Sequence, residues 1–162
     1  MRHAKSSWAE AGLSDFERPL NKRGKRVMPQ VAQFIQSQGL TPHLIVSSSA
    51  NRAKSTSQLF VEHCDTANAP ELQLVKYFYH ASADVYLEFL GKFNDENVNT
   101  IMLVGHNPGL EELVLHLSGE YESMPTAAVA HFELNIDAWP AAEYPDDADL
   151  QTVWRPKEID IL

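Results

Sequence analysis

Apolar residues recur along this chain with two different periods, and the change from one to the other lays out its elements. Residues 21–38 carry Val27, Val31, Phe34 and Ile35 at i, i+4, i+7 and i+8, the spacing of one helical face. Pro29 lies inside that stretch and is expected to kink or restart the helix, which Gly39 then ends. Leu44-Ile45-Val46 reads as a buried strand, followed by Ser47-Ser48-Ser49 as N-cap candidates for a helix reaching about Cys64. A third helix is expected from near Ser82 to about Phe93, with Tyr86, Leu87 and Leu90 on one side. Ile101-Met102-Leu103-Val104 is a second buried strand. Gly105-His106 then turns the chain, Asn107 caps, and Pro108 opens a helix striped by Leu110, Leu113, Val114 and Leu117.

After residue 124 the period becomes two. Ala130, Phe132, Leu134 and Ile136 alternate with His131, Glu133, Asn135 and Asp137, a half-buried strand. An acidic, proline-bearing loop over 138–149 leads to a last strand at Gln151–Arg155, stopped by Pro156. Alternating strands and helices predict an α/β fold with a largely parallel central sheet flanked by helices, its later strands free to run antiparallel. No repeat or linker interrupts the pattern, so residues 1–162 are expected to form a single domain.

Composition narrows the class. No apolar run approaches the ~20 residues of a membrane span, and no basic-then-apolar secretory signal is present. The single cysteine, Cys64, excludes an internal disulfide and suits a reducing compartment, and its apolar neighbours make it buried filler. A cytoplasmic protein without a membrane partner is the expectation. A net charge of −9 argues against nucleic acid as a partner. Its distribution is uneven. Residues 1–26 hold seven basic side chains against Glu10, Asp15 and Glu17, a balance of +4, while the remaining 136 residues stand at −13. A local site for a small anion and a solvated basic helix start fit that balance equally well.

Candidate chemistry gathers at strand ends. In open α/β sheets ligands sit at the carboxyl ends of strands, beside the amino ends of the following helices, whose free N–H groups favour anions. Arg52 follows the strand at 44–46 and His106 leaves the strand at 101–104. Arg2-His3 would be a third such position if it followed a strand. Two arginines and two histidines on one rim have the composition of a phosphate site, with arginine forks for the oxygens and a neutral imidazole as nucleophile. Such a set suggests phosphoryl transfer more than binding alone. His43, His63, His116 and His131 are read as surface residues, and Glu111-Glu112 as complements to a helix dipole. No Cys-x-x-Cys and no His pair at i, i+4 occurs, so no metal site is expected.

These residues carry a resemblance. Arg2-His3-Ala4-Lys5-Ser6-Ser7-Trp8 and the stretch Ser14-Asp15-Phe16-Glu17-Arg18-Pro19-Leu20-Asn21-Lys22-Arg23-Gly24 resemble the histidine phosphatase superfamily, in its SixA-type phosphohistidine phosphatase branch. Ser47–Thr56, around Arg52, is similar to the second motif, and Val104–Glu112, around His106, to the third. Pro125-Thr126-Ala127-Ala128 and Trp154-Arg155-Pro156-Lys157 also resemble this branch. The resemblance implies a three-layer α/β/α fold and a metal-independent phosphatase in which His3 is the nucleophile. Arg2, Arg52 and His106 match phosphate-pocket positions, and Arg18 matches a further basic one. It implies no metal or organic cofactor, and a phosphate-bearing substrate, a phosphohistidine protein among the options, for a monomer or weak dimer.

Two departures stand out. Members carry a short apolar strand before Arg-His, where this chain has only Met1, so truncation upstream and a loosened His3 are expected. No acidic general acid matches securely; His80, Asp15 and Glu17 are the candidates by motif order. A phosphoramidate leaving group needs less acid help than an alkoxide, which leans toward N-phosphorylated substrates. A phosphomonoesterase acting on a small metabolite and a catalytically silent phosphate-binding module are the alternative readings.

Overall fold

The computed structural model describes residues 1–145 and 148–159. Three parallel strands form the core sheet: β1 (Leu44–Ser48), β2 (Glu71–Val75) and β3 (Ile101–Val104), in the order β2-β1-β3. Leu44 pairs with Glu71 on one side and Ile101 on the other, so β1 is central and buried along its whole length. Beside the end of β3, Arg2 bridges Gly105 in parallel, and the Met1 ammonium donates to Leu103 O at 2.7 Å. A second, antiparallel pair follows: β4 (Val129–Leu134) and β5 (Ala148–Trp154). An apolar cleft of about 900 Å³ separates β3 from β4, walled by Leu110, Leu113 and Leu117.

Helices cover both faces, giving the three layers. Helix α1 (Lys22–Ser37) packs against α2 (Asn51–Glu62) over a core containing Val27, Met28, Val31, Ile35, Ile45 and Phe60. On the opposite face, α3 (Ala83–Lys92) and α4 (Gly109–Ser118) bury Tyr86, Leu87, Leu110 and Leu113 against Leu44 and Val46. Successive β1 residues therefore face alternate layers, as a strand's period of two requires. Among the described residues no helix is long and apolar enough to cross a membrane.

Several expectations are corrected. Pro29 sits inside α1, which runs on without a restart. The missing hydrogen bond costs about 3 kcal/mol in a helix interior, and the buried face of Val27, Met28, Val31, Ala32 and Ile35 outweighs it. Ser47 and Ser48 belong to β1 rather than capping α2, whose first flanking residue is Ala50 without a side-chain cap. Asn107 does not cap α4 either. Pro108 takes that place, and the Asn107 amide donates to Met124 O at 3.0 Å. Strand β2 escaped the sequence reading; as an edge strand it leaves Glu71, Gln73 and Leu74 exposed.

Close approaches explain two glycines. A Cβ on Gly24 would lie 2.3 Å from Lys5 O, where the chain start crosses the amino end of α1. At Gly109 a Cβ would lie 1.8 Å from Ala81 O, so the turn from β3 into α4 packs on backbone.

Candidate active site

The Arg2-His3 pair is held by main chain on both sides. His3 N–H donates to Gly105 O at 3.1 Å, and Ala127 N–H donates to His3 O at 3.1 Å. Ala4 N–H donates to Thr56 Oγ1 at 2.9 Å, while that hydroxyl donates to Arg52 O at 2.6 Å. Thr56 thus ties the chain start to the first turn of α2, and the loosened His3 expected above is instead fastened at three points.

The His3 ring has a defined tautomer. Nδ1 lies 2.7 Å from Ala4 O, which can only accept, so Nδ1 carries the proton and Nε2 keeps its lone pair. Arg52 Nε–H donates to Nε2 at 3.3 Å. Burial pushes the His3 pKa down to about 4; the bond to Ala4 O opposes that shift, and the charges of Arg52, Arg2 and Arg18 reinforce it. The ring is neutral at pH 7.

His106 leaves β3 and meets His3 at 5.1 Å between ring centroids. Its Nε2 is bonded to Ser48 Oγ at 2.8 Å. Its Nδ1 is buried with no partner among the described residues, as is Arg2 Nε. Burial, followed by His3, Arg52 and His80, lowers the His106 pKa to about 3. Unpartnered buried polar atoms of this kind call for an explanation, and a bound oxyanion would accept from both, from His106 in the neutral tautomer whose Nε2 accepts from Ser48 Oγ and whose Nδ1 carries the proton.

Arg2, His3, Arg18, Arg52, His80 and His106 all line one pocket of about 310 Å³, with Thr126 on its wall. Four of the basic and imidazole groups, His3, Arg18, Arg52 and His106, are buried. His80 is exposed, its ring 3.9 Å from Tyr79. His80 and Ala127 both hold left-handed backbone, with φ of 56° and 65°, and they flank the pocket. Strained residues concentrate at functional sites.

Asp15 and Glu17 are not in the lining. Asp15 accepts from Arg18 Nη1 at 2.8 Å, Arg52 Nη2 at 2.9 Å and Tyr79 Oη at 2.7 Å. The Tyr79 bond first, and then both arginines, hold its carboxyl well below the usual range against the opposing effect of burial. A carboxylate so held stays ionised and donates no proton; it positions Arg52 and Arg18. The exposed Glu17 closes its own turn by accepting from Ser14 Oγ at 2.7 Å. Of the three acid candidates only His80 reaches the pocket.

Ser48, Thr56, Tyr79, Asn107 and Thr126 went unread as site residues in the sequence. Their neighbourhood in the motifs was the available signal. Among the described residues no group of three His, Cys, Asp or Glu side chains could hold a metal ion.

Fold and pocket together define an α/β protein whose paired imidazoles and guanidiniums converge on one pocket at the strand ends. The chain belongs to the histidine phosphatase superfamily, of the SixA type, and is a hydrolase of that phosphatase class acting on a phosphate-bearing substrate. The model of histidine phosphatase superfamily branch 1 matches residues 1–75. An uncharacterized chloroplastic protein of Arabidopsis thaliana is 32% identical over 148 residues, covering 88% of this chain and 68% of that one. An uncharacterized Mycobacterium tuberculosis protein is 30% identical over 118 residues, covering 73% and 70%. A solved structure of a candidate phosphohistidine phosphatase SixA from Agrobacterium tumefaciens superposes with a TM-score of 0.78 at 26% identity, covering 96% and 95% of the chains. The protein histidine phosphatase SixA complexed with tungstate shares the fold at a TM-score of 0.80 and 19% identity, covering 99% of this chain and 97% of that one.

Proposed function

We propose that this chain removes phosphate from phosphohistidine side chains through a phosphorylated His3. The observation that carries the reading is the His3 ring itself, with its Nδ1 proton on Ala4 O and its Nε2 lone pair among Arg2, Arg52 and His106. A neutral imidazole is nucleophilic without a separate base. Nε2 forms a bond to phosphorus as the substrate's P–N bond breaks, and the departing nitrogen takes the electron pair and a proton from His80. Phospho-His3 retains its Nδ1 proton. Water then attacks phosphorus, the P–Nε2 bond returns its electrons to His3, and His80 accepts the proton that the water loses. Arg2, Arg52 and Arg18 bind the phosphoryl oxygens, and a neutral His106, whose Nε2 accepts from Ser48 Oγ, adds a donor through its Nδ1–H. Each such fixed donor typically contributes about 10²- to 10³-fold in rate.

The leaning toward nitrogen rests on the acid. Asp15 stays ionised and Glu17 is turned away, so His80 is the proton donor at hand. An imidazole leaves more easily than an alkoxide under so little acid assistance.

The test is to trap the intermediate. Incubation with labelled phosphohistidine, a quench in base and peptide mapping should place the label on His3, and His3→Ala should abolish both label and turnover. Turnover persisting in His3→Ala, or label on another residue, would refute the mechanism. Phosphate binding without turnover would leave a binding module. A higher kcat/KM for phosphoserine peptides than for phosphohistidine peptides would replace the substrate class.

A further inference from the structure

We propose that the mouth of this pocket is a leaving-group subsite for a flat heteroaromatic ring, with Trp8 as its stacking platform. The inference rests on the phosphatase reading above and specifies which part of a substrate the chain recognises beyond the phosphate. Trp8 lines the pocket but is 79% exposed, an unusual position for the largest apolar side chain. It is also held in place. The Arg18 guanidinium lies 3.2 Å from the ring centroid, and its nitrogens are fixed on Ser7 O, Asp15 Oδ1 and Ser6 Oγ. One ring face is therefore covered by a rigid cation, and the exposure belongs to the rest of the ring.

The second flat group at the mouth is His80, exposed and backed by Tyr79 at 3.9 Å. Tyr79 and Arg18 are both anchored on Asp15, so one carboxylate fixes the supports of both rings. A phosphoryl group on His3 Nε2 directs its departing group outward, past these rings. Stacked and edge-on aromatic contacts are geometry-specific, so this rim favours a planar ring over a flexible alkyl chain. An imidazole has the required shape.

The experiment compares the intact chain with Trp8→Ala and Trp8→Phe on two matched pairs, phosphoimidazole with phosphoramidate and phenyl phosphate with ethyl phosphate. Trp8→Ala should raise KM for the flat member of each pair about tenfold more than for its partner, the loss of one stacking contact. kcat should move less than KM, and Trp8→Phe should recover most of the difference. In His3→Ala, which blocks turnover, calorimetric Kd values for the same four compounds should show the same split. Equal losses across all four would mean that Trp8 only steadies Arg18, and no change would mean that nothing stacks there; either result overturns the subsite. A flat-ring split without any preference for N–P over O–P bonds would retire the phosphohistidine reading and retain the subsite.

Discussion

Replacing Thr56 by Val tests whether the chain start and the second motif are coupled as the structure has them. Thr56 is wholly buried, and its hydroxyl accepts from Ala4 N–H at 2.9 Å and donates to Arg52 O at 2.6 Å. Valine nearly conserves the volume, so the change isolates the hydroxyl. Ala4 N–H is left unpaired in the interior, a penalty of about 1–3 kcal/mol. Arg52 O, already within α2, loses a second donor at little further cost. A net loss of about 2 kcal/mol corresponds to a Tm lower by roughly 4–8 °C for a chain of this size. The activity effect should be larger than stability alone implies. Ala4 O holds the His3 tautomer and Arg52 donates to Nε2, so movement of either misaligns the attack. A misplacement near 1 Å costs on the order of 10²-fold. Urea unfolding midpoints and kcat/KM on an aryl phosphate read the two effects. Ser57→Ala is the control: Ser57 is also buried on α2, but its hydroxyl donates only to Ala53 O within the helix, so activity should hold. A Thr56→Val protein within 0.5 kcal/mol of wild type, with kcat/KM unchanged, would show that the link carries neither stability nor alignment.

Gly109→Ala, which would put Cβ 1.8 Å from Ala81 O, should cost at least about 3 kcal/mol in urea unfolding, because the obstructing atom is backbone; a loss under 1 kcal/mol would contradict the packing of that turn. Asp15→Asn should destabilise by about 1–2 kcal/mol at pH 7, less than for a fully buried pair because Asp15 is 40% exposed. The Asp15 pKa is depressed in the fold, so its contribution is in place above pH 4 and lost as pH falls below that. The gap between wild type and Asp15→Asn should therefore close in acid, and a constant gap would refute the ion-pair account. For His3 and His106 the fold favours the neutral ring, with pKa values of about 4 and 3 against 6.5 unfolded. Below pH 6.5 the unfolded chain binds the extra protons, so phosphate-free stability should rise from pH 4 to 6.5 and level off above. Each histidine adds up to about 1.4 kcal/mol per pH unit. Unfolding midpoints against pH should lose part of that slope in His3→Asn and again in His106→Asn, and a flat wild-type profile would sink the argument.

The sequence by itself determined the layers and the location of the candidate site. The apolar stripe of α1, the short runs of β1 and β3 and the stripe of α4 are local periodicities, and period alone dictates which face is buried. Arg52 and His106 follow strands closely, so strand-end geometry placed them on one rim before any contact was known. Arg2-His3 was legible through its motif, although how it is held shows only in the main-chain bonds to Gly105 and Ala127, more than 100 residues away, and in the Thr56 hydroxyl beside Ala4. The edge strand β2 was harder to read, because exposed strands carry little burial pattern.

Tertiary structure decided the partners. Ser48 looked like a cap and is the partner of His106; Asp15 looked like an acid and is the anchor of Arg18, Arg52 and Tyr79. Asp15 meets Tyr79 across 64 positions and His106 meets Ser48 across 58, distances over which no local pattern carries information. A side chain's role there depends on which groups packing brings opposite it and how much water that packing removes. The same two facts give His3 its lone pair at neutral pH, since its tautomer comes from Ala4 O and its low pKa from burial.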